Sequence, residues 1–124
     1  MILGVGIDAV EVARFAHWQN KSDEQLKRIF SDEEIVYCRS VSAKSAERFA
    51  ARFAAREALL KALSAMFPNL SLLQVSRACK IGGIPPKIDI DWTILNINRD
   101  GLTVYLSLSH TQTDAYAIVI IEHF

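Results

Sequence analysis

The chain has 124 residues, with 14 Lys+Arg against 14 Asp+Glu for a formal net charge of +0, and 51% of it is hydrophobic. Such a chain fits one globular domain over 1–124 and buries about two thirds of the surface it would expose unfolded, so it needs neither metal nor disulfide for stability. The apolar fraction excludes disorder, and the lack of a basic excess argues against a dedicated nucleic-acid or membrane-surface binder. Val5, Ile7 and Ala9 alternate with Gly4, Gly6 and Asp8, the period-2 pattern of a strand. Asp8 therefore shares a face with two glycines. That face has room either for another backbone packed closely or for a ligand, and close packing is the simpler reading. Ser22-Asp23-Glu24-Gln25 and Ser31-Asp32-Glu33-Glu34 are capping boxes that start short helices near 23–29 and 32–38, and a further short helix is expected near 13–19.

Residues 44–66 form the longest helical signal, rich in Ala, Leu and Arg, free of Gly and stopped by Pro68. At 100° per residue Phe49, Phe53 and Leu60 share a stripe, with Arg48 and Arg52 on one flank and Glu57 and Lys61 on the other. Beyond Pro68 the pattern turns to β, with strands predicted at 74–80, 87–94, 102–109 and 115–121 and a hairpin signal at Asp100-Gly101. The expected fold is α+β, an antiparallel sheet packed around one long central helix with short N-terminal helices. Cys38 and Cys79 match no zinc or redox spacing and read as reduced core thiols. The opening run carries no basic segment followed by an apolar stretch, and nothing approaches the roughly 18 apolar residues of a membrane span. A cytoplasmic protein is expected.

Zero net charge conceals segmentation: residues 1–36 carry −3, 37–62 carry +4 and 63–124 carry −1. Within the basic segment, Arg48, Arg52 and Arg56 recur every fourth position, with Lys44 extending the row. That row is either a solvated face or a phosphate site, because guanidinium forks bind oxyanions bidentately. Glu57 and Lys61 have the spacing and order of a helical ion pair, worth about a few tenths of a kcal/mol on a surface. They border the Phe53/Leu60 stripe, where a charge is costly without a cation or ligand to meet it. An acid beside bases suits a metal-bridged diphosphate better than a bare nucleic-acid surface. His110, ending a strand beside Thr111-Gln112-Thr113, is placed to donate to a ligand. His17 and His123 have no such context.

The order of these signals is more specific than any one of them. Gly4-Val5-Gly6-Ile7-Asp8-Ala9-Val10-Glu11, Arg14-Phe15, Arg52-Phe53-Ala54-Ala55-Arg56-Glu57-Ala58-Leu59-Leu60-Lys61-Ala62, Gly83-Ile84-Pro85 and Ser107-Leu108-Ser109-His110-Thr111 together resemble the holo-acyl-carrier-protein synthase family of small phosphopantetheinyl transferases. The resemblance runs end to end and is weakest over 63–100. It implies transfer of the phosphopantetheine arm of coenzyme A to a serine of an apo acyl carrier protein, with release of adenosine 3′,5′-bisphosphate. It implies Asp8 and Glu57 as ligands of magnesium, with manganese the alternative ion, and Glu57 or a water it orients as base. Lys61 is then the group that stabilises or protonates the departing phosphate. Arg52 and Arg48 would meet coenzyme phosphates, His110 and Thr111 would lie close to the coenzyme, and Gly83 and Pro85 would shape its adenine end. The family also implies a homotrimer with sites between subunits, and Arg14 as a contact to the acidic carrier. Two departures stand out: the family usually has Lys at the position of Arg56, and Gly-Lys-Pro where this chain has Gly83-Ile84-Pro85. They motivate an alternative, a non-catalytic member of the fold that binds coenzyme A or a carrier protein. A nuclease or RNA-binding module using the Lys44–Arg56 face is disfavoured by neutrality and by the lack of an exposed aromatic platform.

Overall fold

The computed structural model describes residues 1–124. In chain order its elements are β1 (Ile2–Glu11), 3-10 turns at Val12–Phe15 and Trp18–Asn20, α1 (Asp23–Leu26), α2 (Asp32–Arg39), a 3-10 turn at Ser42–Lys44, α3 (Ser45–Ser64), α4 (Leu72–Ala78), β2 (Cys79–Gly82), β3 (Lys87–Ile90), β4 (Leu102–His110) and β5 (Asp114–His123). No helix is long and apolar enough to cross a membrane. The long helix expected at 44–66 is α3, and it is the central element. One antiparallel sheet, in the order β1-β5-β4, lies against it, and β2 and β3 form a separate two-stranded ribbon.

The glycines of β1 set the distance between sheet and helix. A Cβ built on Gly4 would overlap the Ala62 carbonyl oxygen, and one on Gly6 would overlap that of Ala58 and stand 2.8 Å from the Ala62 nitrogen. Helix backbone fills the space above both glycines, so the open face of the strand is explained by close packing. Ala54, Ala55, Ala58 and Ala62, all fully buried, present the thin helix surface this requires. From β5, Ala115, Ala117, Val119 and Ile121 complete the buried layer. The opposite sheet face is uncovered and exposes Val5, Ile7, Tyr105 and Tyr116.

On its other side α3 packs against the N-terminal segment through aromatic rings. Phe15 lies 4.5 Å from Trp18 and 5.4 Å from Phe53, and Phe30 lies 5.2 Å from Phe49, centroid to centroid. The offset, tilted contacts are those that ring quadrupoles favour. Both predicted capping boxes form, at Ser22/Gln25 and Ser31/Glu34. The helix predicted at 13–19 is instead two short 3-10 turns, and α1 is a single turn.

Over 63–100 the structure corrects the expected strands. The strand predicted at 74–80 is mostly helix, because Ser71 and Gln74 make a third capping box that starts α4. Only Cys79 and Lys80 of that run enter β2. The run at 87–94 ends as a strand at Ile90, since the Asp91 carboxylate accepts from the amides of Thr93 (3.1 Å) and Ile94 (3.4 Å) and turns the chain. Trp92 and Leu95 are thereby buried. No hairpin forms about Asp100-Gly101: β3 pairs with β2, and β4 pairs with β5. Gly101, at φ +76°, turns the chain into β4 under the His123 ring. Cys38 and Cys79 are free and buried, and burial pushes the Cys38 thiol up to about 12.

Gly6→Ala should lower stability by about 1–3 kcal/mol, because its methyl meets helix backbone that cannot rotate away. A lower urea midpoint at unchanged slope is the expected reading.

Candidate active site on two flanks of the central helix

Successive contacts of Gly4 with Ala62 and Gly6 with Ala58 show that β1 runs antiparallel to α3, advancing two residues for each helical turn. The next inward position is Asp8, on the strand face turned to α3. Lys61 reaches back to it: Nζ donates to Asp8 Oδ1 at 3.0 Å and to the Ile7 carbonyl at 2.9 Å. The ion pair predicted between Glu57 and Lys61 is thus replaced by one between Lys61 and Asp8, a partner 53 residues away in sequence. The half-buried Glu57 is left without an ion-pair partner.

Asp8 Oδ2 is buried and accepts no hydrogen bond. A carboxylate oxygen in that state is costly and invites a donor or a cation. No cluster of three or more His, Cys, Asp or Glu side chains is arranged to hold a metal. The donors on this flank are therefore two carboxylates, Asp8 and Glu57. That set fits a hard ion such as magnesium, which takes one or two carboxylates and completes its shell with waters and substrate phosphates.

The second flank faces elsewhere. At 100° per residue Arg52 and Glu57 lie roughly 140° apart around the helix axis. Arg48 and Arg52 look into a cleft of about 640 Å³, between α2, the first turns of α3, the end of β2 and the end of β4. Tyr37, Gly83, Ile84 and His110 also line it. Arg48 Nη1 donates to the Tyr37 carbonyl (2.8 Å) and the Ser40 hydroxyl (2.9 Å). Arg52 is only 8% exposed, and its Nε makes no hydrogen bond. At the mouth, His110 Nε2 lies 3.1 Å from Glu47 Oε1 and links β4 to α3.

Arg56 does not join this cationic row. It is fully buried, donating to Glu34 through Nη1 (2.8 Å) and Nη2 (2.6 Å) and to the Cys79 carbonyl (3.2 Å). Burial opposes its charge, but the hydrogen bonds and charge of Glu34 outweigh that and raise its pKa. Here the fork geometry of arginine joins α2, α3 and β2, a bidentate function that the single ammonium of lysine could not perform. Glu34 was legible in the sequence only as a cap, and it is also the acid of this buried pair.

Two other expected site residues stand outside the cleft. The Thr111 hydroxyl accepts from the amides of Thr113 (3.2 Å) and Asp114 (3.0 Å), building the β4–β5 turn. Pro85 lies between Ile84 and Pro86, which line the cleft, but does not line it. Arg14 is exposed beside the aromatic cluster, with its guanidinium 5.0 Å above the Phe53 ring.

A thin helix thus packs against a glycine-bearing strand, with Asp8 and Glu57 on one flank and the cleft of Arg48 and Arg52 on the other. Residues 4–120 match the 4′-phosphopantetheinyl transferase superfamily. The chain is 40% identical over 124 residues to the holo-[acyl-carrier-protein] synthase of Treponema denticola, covering 98% of this chain and 99% of that protein. It is 33% identical over 129 residues to that of Clostridium tetani, covering 98% and 97%. Among solved structures it resembles the holo-[acyl-carrier-protein] synthase of Neisseria meningitidis (TM-score 0.76, 28% identity, 98% and 99% covered). It also resembles that of Bacillus anthracis in complex with CoA (3′,5′-ADP), with TM-score 0.75, 26% identity, and 100% and 99% covered. The chain belongs to the holo-[acyl-carrier-protein] synthase family of the 4′-phosphopantetheinyl transferase superfamily, and is an enzyme of that family.

Glu34→Ala should cost about 3–5 kcal/mol, because it leaves the Arg56 charge buried and unpaired. The double variant Glu34→Leu/Arg56→Met should recover most of that loss in the same denaturation experiment.

Proposed function

We propose that this enzyme, as one domain over 1–124, moves the 4′-phosphopantetheine arm of coenzyme A to a serine hydroxyl of an apo acyl carrier protein, at sites formed between copies of the chain. The observation that carries the reading is the buried Oδ2 of Asp8, which accepts no hydrogen bond while Lys61, one turn from Glu57 on α3, donates to Oδ1. Magnesium, or manganese in its place, held by Asp8 and Glu57 would supply neutralisation of the coenzyme's diphosphate. Glu57, directly or through a water, accepts the serine proton as the serine oxygen bonds to phosphorus. The P–O bond to the nucleotide breaks, and Lys61 stabilises or protonates the oxygen that leaves on adenosine 3′,5′-bisphosphate. Arg48 and Arg52 grip coenzyme phosphate, His110 donates at the mouth of the cleft, and Thr111 shapes the turn behind it. Gly83 lines the cleft where the adenine end would rest, with Pro85 shaping the loop behind it, and the exposed Arg14 meets the acidic carrier. With these partners, we read the reaction as a cytoplasmic step that serves fatty acid biosynthesis.

Separation of the two flanks supports an assembly with shared sites. With the acid pair and the cleft on different sides of one helix, the cleft of one copy would serve the acid pair of its neighbour. The uncovered sheet face, with Val5, Ile7, Tyr105 and Tyr116 exposed, is the apolar surface that would associate. A ring of three copies repeats one such contact and closes it.

Incubation with coenzyme A, magnesium and an apo carrier should add about 340 Da to the carrier, the mass of the covalently attached arm. Asp8→Ala and Glu57→Ala should each abolish that gain while far-ultraviolet circular dichroism stays unchanged; no gain with any of several carriers using the unaltered enzyme would refute the reading and favour a binding-only member. Asp8→Ala and Arg52→Ala, each inactive alone, should recover about a quarter of full activity when unfolded together at equal amounts and refolded, as random cyclic assembly of shared sites requires.

A further inference from the structure

The Tyr37 side chain contacts both cations of the cleft. It stands near the end of α2, 45% exposed, and its ring carries the Arg48 guanidinium at 4.0 Å and the Arg52 guanidinium at 4.4 Å from the centroid. Both distances are well inside cation–π range. Its backbone takes part as well, since the Tyr37 carbonyl accepts from Arg48 Nη1. One residue thus contacts both guanidiniums and hydrogen-bonds one of them.

The acids that share the cleft with this pair, Glu33, Glu34 and Glu47, make no hydrogen bond to either guanidinium, and Arg52 keeps only a long ion pair with Glu34. Glu34, the nearest acid to Arg52, gives both oxygens to Arg56 and accepts from Ser31 as well, so Arg52 Nε stays 3.9 Å from it without a hydrogen bond. Glu47 is engaged by His110 at the mouth. Two like charges on one ring repel each other and would splay apart if only their own flexible stems held them. The negative face of the ring opposes that, keeps both guanidiniums in one place, and leaves their outward N–H groups to an oxyanion. An arginine fixed before its ligand arrives does not lose its rotamer freedom on binding.

We propose that Tyr37 is a positioning residue, whose ring holds Arg48 and Arg52 together as a preformed grip for a phosphate group of the coenzyme. This rests on the reading of the cleft as the coenzyme site given above. The ring, not the hydroxyl, is the working part.

Calorimetric titration of the magnesium-loaded enzyme with coenzyme A, without carrier, separates the two claims. Tyr37→Phe should bind as the unaltered enzyme does, and Tyr37→Leu should bind about tenfold more weakly, the scale expected for loss of paired cation–π contacts. In turnover assays Tyr37→Leu should raise KM for coenzyme A by the same factor with kcat unchanged. Arg48→Ala should weaken binding in the Tyr37 background and much less in the Tyr37→Leu background, because the ring and the cation act together. Tyr37→Leu binding like the unaltered enzyme, or Tyr37→Phe as weak as Tyr37→Leu, would overturn the role of the ring. Undiminished binding in Arg48→Ala and Arg52→Ala would instead remove the coenzyme from this cleft, and the proposal with it.

Discussion

The approach of β1 to α3 is the constraint on which the site depends. Gly4 and Gly6 place strand backbone against the carbonyls of Ala62 and Ala58, a separation that a side chain at either position would prevent. Only at that separation can Lys61 donate to both the Asp8 carboxylate and the Ile7 carbonyl of the strand. The same packing that buries the alanine face of the helix also removes one Asp8 oxygen from water. Burial energy of the core is thereby coupled to the state of a functional carboxylate: tightening the packing leaves that oxygen more dependent on a ligand cation.

Charge follows the same division of labour along one helix. The basic segment 37–62 has a net charge of +4, yet its cations perform distinct tasks. Arg56 is consumed inside the core by Glu34, Lys61 is spent on Asp8, and Arg48 and Arg52 are left facing the cleft. Because no carboxylate hydrogen-bonds the guanidiniums remaining there, they stay open to an anionic ligand, even with Glu33, Glu34 and Glu47 lining the same cleft. Overall neutrality disfavours indiscriminate binding of polyanions, and local placement preserves affinity for a single phosphate.

Local chemistry was the most legible part of the fold. The Ser22 and Ser31 caps, the long helix ended before Pro68, and the strand of alternating Gly and Val/Ile all involve neighbours in sequence, and all form. The region 63–100 was misread where two local signals compete: residues 74–80 have β-like composition, but the capping pair Ser71/Gln74 decides the matter by satisfying helix-end amides. Asp91 wins in the same way over the alternation around it, since its carboxylate binds two following amides. In the site, Asp8 and Glu57 were legible as types in an ordered pattern, whereas the partner of Lys61, the burial of Arg56 and the place of Tyr37 were not. Each of those depends on contact between residues distant in the chain, and a helical row such as Arg48, Arg52 and Arg56 gives no sign of which member turns inward.

That inward turn explains how the departure at position 56 is tolerated. A lysine there could give Glu34 one ammonium, but the guanidinium matches both carboxylate oxygens and also reaches the Cys79 carbonyl, so α2, α3 and the β2 edge are joined by one side chain. With Glu34 committed to that fork, its ion pair with Arg52 is long, 3.9 Å, and carries no hydrogen bond. The buried pair therefore fixes the wall of the cleft and leaves Arg52 only weakly held by an acid. Ile84, fully exposed on the opposite ledge, brings no charge of its own. The cations of the cleft thus come from α3, where Arg48 and Arg52 both lie within cation–π distance of the Tyr37 ring.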